Sequence, residues 1–183
     1  MKQPWTTGPL GDIMLVEPER WLFNAGDWDA VEAELGTGLP TDYKDLIGDG
    51  LACTFDEELV IASPFDPHPG LNLMRTVARS AWALAYLRHQ DADAYPVAVH
   101  PEAGGLLGWG YDGGGGQYHW DTAAGDPQRW AIAVTGRPVF DPYVQRHAVG
   151  LSEYLQRLAA GEIKAAALGG WPSPNAVIER RRP

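Results

Sequence analysis

The chain is expected to fold as a single α+β domain, with a central antiparallel sheet packed against helices, and three observations predict it. Its 183 residues are near the size of one globular domain. Apolar residues recur at helical spacing in four separate stretches, whereas residues 96–134 offer four successive β-prone segments with turns and no helical run between them. The hydrophobic share is 45%, with eight Trp, seven Tyr and four Phe, far too rich in large apolar groups for a disordered chain. The predicted organisation is an N-terminal arm over 1–26, the α+β domain over 27–165 and a C-terminal tail over 166–183.

Residues 1–26 carry Pro4, Pro9 and Pro18, and only "DIMLVE" has strand character. In "GDWDAVEAELG", Asp27 or Asp29 can cap a helix, Trp28, Val31 and Leu35 share a face, and Gly36 suits the left-handed stop. "LPTDYKDLIGDG" predicts a second short helix: Pro40 fits its first turn, Asp42 complements the dipole and Gly48 ends it. "ELVIAS", 58–63, reads as a strand closed by Pro64, and "SPFDPHPG" breaks the pattern. A long helix is expected from Asn72 to about Gln90, with Met74, Val77, Ala78, Ala81, Trp82 and Ala85 as its apolar stripe and Arg75, Arg79 and Arg88 elsewhere.

Strands are then expected at "PVAVH" (96–100), "GLLGWGYD" (105–112), "GQYHWDT" (116–122) and "RWAIAV" (129–134), forming an antiparallel meander. "GLSEYLQRLAAGE" places Leu151, Tyr154, Leu155 and Leu158 on one helical face with Gly161 as a cap, and the remaining tail reads as a loose basic end.

Four consecutive glycines in "YDGGGGQY" raise the question of a phosphate cradle. A P-loop needs a Lys and a Ser or Thr after its last glycine, and a dinucleotide loop must run into a helix; here "QYHWDT" continues as a strand. The Asp-Gly onset instead predicts a tight hairpin. Alternation puts Leu107, Trp109 and Tyr111 on one face and Leu106, Gly108 and Gly110 on the other, while Tyr118 and Trp120 share a face opposite Gln117, His119 and Asp121. Gly108 and Gly110 leave room for close approach by a helix of the same chain or by a partner segment.

The five histidines, 68, 89, 100, 119 and 147, form none of the close pairings of a metal or acid–base centre, so no metal and no cofactor are expected. Ser63 and Ser152 lack a nucleophile elbow, and Cys53 reads as a small buried side chain. Asp112 with Asp121, or Asp91 with Asp93, are carboxylate pairs open to acid–base use, but 24 acidic residues make such coincidences common. No catalytic residue is assigned. One cysteine permits neither an intrachain disulfide nor a multi-cysteine metal site, which suits a reducing cytoplasm, and no leader or membrane-spanning run is read.

The formal net charge of −10 repels nucleic acid and anionic membranes and favours a basic protein partner. The residues assigned to such a partner are Asp112 and Asp121 for charge, with Tyr118 and Trp120 for contact area if exposed; the opposing reading puts both rings in the core.

"LPTDYKDLI", the strand ahead of "SPF", the hairpin ending "YHWDT", "GDPQRWAIAV" and the closing "LSEYLQRLAAGEI" together resemble the SUKH superfamily, the Smi- and Knr-like proteins, over roughly residues 28–163. Where that family commonly has an Asn-Gly-Gly-like turn, this chain has "GDGLACTF". The resemblance implies a SUKH-like α+β fold and, for bacterial members, a non-enzymatic immunity protein that neutralises a cognate toxin, often a nuclease or deaminase. Other members serve as regulatory adaptors. A small hydrolase or nucleotide-binding enzyme is the alternative from another class.

Overall fold

The computed structural model describes residues 21–135, 143–163, 172–173 and 176–181. The strand reading at "DIMLVE" lies outside them. The described elements are α1 (Trp28–Leu35), α2 (Thr41–Ile47), β1 (Cys53–Phe55), β2 (Leu59–Ile61), α3 (Leu73–Gln90), β3 (Leu106–Asp112), β4 (Gln117–Asp121), β5 (Ala131–Thr135), β6 (Gln145–His147), α4 (Leu151–Ala159) and β7 (Ile178–Arg180). All seven strands join one antiparallel sheet in the order β6-β5-β4-β3-β2-β1-β7. This is the α+β single domain that the sequence predicts.

Both short helices form where capping chemistry placed them. Asp27 caps α1 by accepting from the Ala30 N–H at 3.2 Å, and Gly36 ends it. Pro40 is the N-cap of α2, one residue outside its first turn, and Gly48 is its C-cap. Asp42 also reaches across to α4, accepting from the Ser152 N–H at 2.9 Å where Gly150 offers no capping side chain.

Helices lie on both faces of the sheet, and the first turns of α3, through Leu73, Met74, Val77 and Ala78, join the same buried cluster as α1, α2 and α4. On one face α1, α2 and α4 cover Leu107, Trp109, Tyr118, Trp120, Ile132 and Val134, a layer whose rings interlock. Tyr43 of α2 meets Trp120 edge-on at 5.0 Å, and Tyr154 of α4 meets Tyr118 at 6.3 Å. On the other face α3 crosses β3, and its C-terminal half packs Leu84 over Leu106 and Ala133 with Tyr95, Val97 and Val99. The stripe of α3 is rotated from the sequence reading. Ser80 and Leu84 are buried, whereas Trp82 and Ala85 are only half-buried. Gly108 explains the rotation, because a Cβ there would collide with the Ser80 side chain. Of the two readings of that gap, a helix of the same chain fills it.

Several boundaries differ from expectation. "ELVIAS" holds only β2, and it is preceded by β1, which pairs with it through a turn with Asp56 and Glu57 at φ 50° and 59°. No glycine marks that turn. "PVAVH" is not a sheet strand: it touches the start of β3 through a single bridge, Val99 to Leu106, and the meander's fourth strand is instead β6. Trp21, assigned to the arm, is 2% exposed and belongs to the core. The loose basic tail is partly ordered as β7, which pairs with β1 and is pinned by Arg181, whose Nη1 lies 3.0 Å from the fully buried carboxylate of Asp66. Finally, a bulge between Gly108 and Gly110 sets Gly110 opposite Tyr118, so Tyr111 turns away from Leu107 and Trp109 towards α3.

Candidate functional site

The glycine stretch is the hairpin loop between β3 and β4, and it does hold an anion, one supplied by the chain itself. Asp112 Oδ1 accepts from the backbone N–H groups of Gly114 and Gly116, both at 2.9 Å, and Oδ2 accepts from the Tyr118 hydroxyl at 2.9 Å. Gly115 takes φ 89°, and a Cβ on Gly116 would run into that carboxylate. The loop amides that would cradle a phosphate therefore face a fixed internal carboxylate.

This geometry decides the four residues assigned to a partner surface. Tyr118 and Trp120 are each 1% exposed and lie in the aromatic layer beneath α2 and α4, so they offer no contact area. Asp112 is buried at 6% and committed to the loop. Asp121 is half-buried, accepts from the Ala123 N–H at 3.2 Å and pairs with Arg146 Nε at 2.8 Å. Alternation revealed that the two rings share a face. Which face the helices cover is a tertiary fact that alternation does not carry.

The candidate chemistry is likewise distributed. Asp121 lies opposite Leu106 and Asp112 opposite Leu59, at opposite ends of the β3–β4 hairpin, so that pair does not converge. Asp91 and Asp93 are both exposed just beyond α3, where Asp91 accepts from the Ala94 N–H. Ser63 donates to the Gly50 carbonyl at 2.7 Å and accepts from the Phe65 N–H, a turn role. Burial pushes the Cys53 thiol up to about 11, away from thiolate reactivity. His119 is enclosed, its Nε2 2.8 Å from Thr135 Oγ1, and burial drives its pKa down to about 3. His100 donates from Nε2 to the Leu35 carbonyl, and burial lowers its pKa too. Among the described residues no group of three or more His, Cys, Asp or Glu is placed to hold a metal ion, and no helix is long and apolar enough to cross a membrane.

A feature not singled out from the sequence is the acidity of the α1–α2 layer. Residues 27–49 contain Asp27, Asp29, Glu32, Glu34, Asp42, Asp45 and Asp49 against one base, Lys44. Lys44 is itself paired with Glu32 at 2.8 Å. Asp27, Asp29, Asp45 and Asp49 are exposed. A Cβ on Gly26 would lie 3.7 Å from the Asp49 Cβ, so the start of α1 and the end of α2 stand side by side. Counting charge by segment along the sequence finds this run. On the opposite face α3 contains Arg75, Arg79 and Arg88 and no acid, and Arg88 pairs with Glu102 at 2.7 Å.

No family model matches the chain, and neither the curated proteins nor the solved structures yield a match.

Proposed function

We propose that this chain is a non-enzymatic protein-binding module of SUKH type, an immunity protein that binds and neutralises a basic toxin domain such as a nuclease or deaminase in the cytoplasm. The observation that carries this reading is the exposed acidic layer of α1 and α2, with Asp27, Asp29, Asp45 and Asp49 facing solvent and its only lysine already paired. Carboxylates arranged that way complement the basic cleft with which a nucleic-acid-processing enzyme holds phosphates, and they speed the encounter. The reading relocates the binding surface from the β3–β4 hairpin to the helices covering it.

The test uses the full chain as bait in the cells that produce it, beside a chain carrying Asp29→Asn, Asp45→Asn and Asp49→Asn. The expected result is a basic protein retained by the first bait and lost from the second, whose toxic activity falls to zero at one equivalent of the chain. Equal retention by both baits would remove the acidic layer from the account. Turnover of a metabolite by the purified chain alone would overturn the non-enzymatic reading.

A further inference from the structure

On the face away from α1 and α2, the first turns of α3 form one wall of a groove of about 260 Å³. Arg75, Ala78, Arg79 and Trp82 succeed one another on α3 at steps of three, one and three, a single helical stripe, and the facing wall is Trp21 with Pro69 and Gly70. The walls are tied in place. Asn72, buried, accepts from the N–H groups of Met74 and Arg75 while its amide donates to the carbonyls of Trp21, Pro64 and Asp66. The Tyr111 hydroxyl donates to the Gly70 carbonyl at 2.9 Å, holding the loop against the ring on which Arg79 rests.

One group at this groove lacks the partner such a group ordinarily has. The Arg79 guanidinium lies over the Tyr111 ring at 4.6 Å, is exposed, and has no carboxylate partner among the described residues, in a chain with 24 acidic residues against 14 basic ones. The Trp82 indole lines the groove beside it; its N–H is buried and, like those of Trp109, Trp120 and Trp130, meets no acceptor among the described residues. A planar cation beside apolar walls of Trp21, Ala78 and Trp82 describes a complementary molecule: an acceptor anion carried on a flat apolar body. The volume falls just below the roughly 300 Å³ of the smallest drug-sized sites, which limits the body to about one ring.

We infer that the α3 groove is a binding site for an aromatic carboxylate, with the Arg79 guanidinium as the donor to the carboxylate and Trp21, Ala78 and Trp82 as the apolar walls for the ring. Arg75 lies over Trp21 at 5.4 Å beside the groove. The carboxylate is that of a free small acid or of an aromatic residue at the end of a peptide. The site is independent of the acidic layer, and its test needs no toxin.

The ¹⁵N-labelled full chain is titrated with 3-phenylpropionate, with 3-phenylpropanamide, and with acetyl-Gly-Gly-Phe bearing a free terminal carboxylate, following the indole N–H resonance assigned to Trp82 by Trp82→Phe. The expected result is a saturable shift with both carboxylates, at Kd on the order of 1 mM or tighter. The neutral amide should bind about tenfold more weakly, and so should the acids to Arg79→Gln, whose exposed position leaves the remaining spectrum unchanged. Tighter binding of the peptide makes a chain terminus the source; equal or tighter binding of phenylpropionate makes it a free acid, and both uphold the site. No saturable shift with either acid up to about 10 mM, or undiminished binding to Arg79→Gln, overturns it.

Discussion

His119 is the residue whose chemistry most directly limits the fold's range of conditions. In the unfolded chain its imidazole titrates near the ordinary 6.5, while in the fold burial holds it neutral down to about pH 3. Between those values the unfolded chain binds the proton and the folded chain does not, so stability falls as pH drops through 6.5 towards 3. At pH 5 the loss is about 2 kcal/mol. Urea melts at pH 7 and pH 5 should therefore show a drop that His119→Gln diminishes by that amount, and an unaltered drop would assign the acid sensitivity to other groups. Asp112 limits the fold differently, through hydrogen bonds. Asp112→Ala strips acceptors from the Tyr118 hydroxyl and from two loop amides, and should cost about 2 to 4 kcal/mol in thermal denaturation. A change under about 0.5 kcal/mol would mean that water replaces the carboxylate without loss.

Between elements, the closest fit is that of α3 on β3. Gly108→Ala drives a methyl group into Ser80, which should cost about 1 to 3 kcal/mol. Pairing it with Ser80→Gly should leave a smaller total than the sum of the two single changes. Simple additivity in that cycle would place the strain elsewhere. The four helices were readable in the sequence because spacing and caps such as Asp27, Gly36, Asn72 and Gly48 lie within each segment. The glycine hairpin was readable for the same reason. The β1–β2 turn was not, since Asp56 and Glu57 occupy left-handed positions that ordinarily announce themselves by glycine or asparagine. Neither was β7, whose partner Cys53–Phe55 lies more than a hundred residues earlier in the chain. "PVAVH" has a strand's residues, but the Ala98 carbonyl and His100 N–H bond only to Leu106 instead of continuing along β3. At the candidate site the residue types were legible and their exposure was not: the covering of Tyr118 and Trp120 depends on where α2 and α4 land.

Among the described residues the helices on the two faces of the sheet differ in charge, with the carboxylates of α1 and α2 on one side and the arginines of α3 on the other, Arg88 paired there with Glu102. A basic partner should accordingly approach in a preferred orientation. Its association rate with the chain is expected to fall about tenfold or more from low salt to about 0.15 M, and Asp29→Asn with Asp45→Asn should flatten that dependence. A rate indifferent to both would show that charge does not guide the encounter.

Among the described residues no further strand pairs with the outer edges of β6 and β7, and each of these strands is three residues long, with Arg146 in β6 and Glu179 and Arg180 in β7. Another copy arriving at either margin finds three residues with which to extend the ladder, and an antiparallel approach centred on β6 sets Arg146 against its own copy. On the proposed reading as an immunity protein, a chain held in quantity before its toxin appears would gain from that arrangement, which disfavours the growth of fibres. Light scattering from a concentrated solution left for days should stay flat, and a chain with Glu179→Val and Arg180→Val should lose that shelf life first.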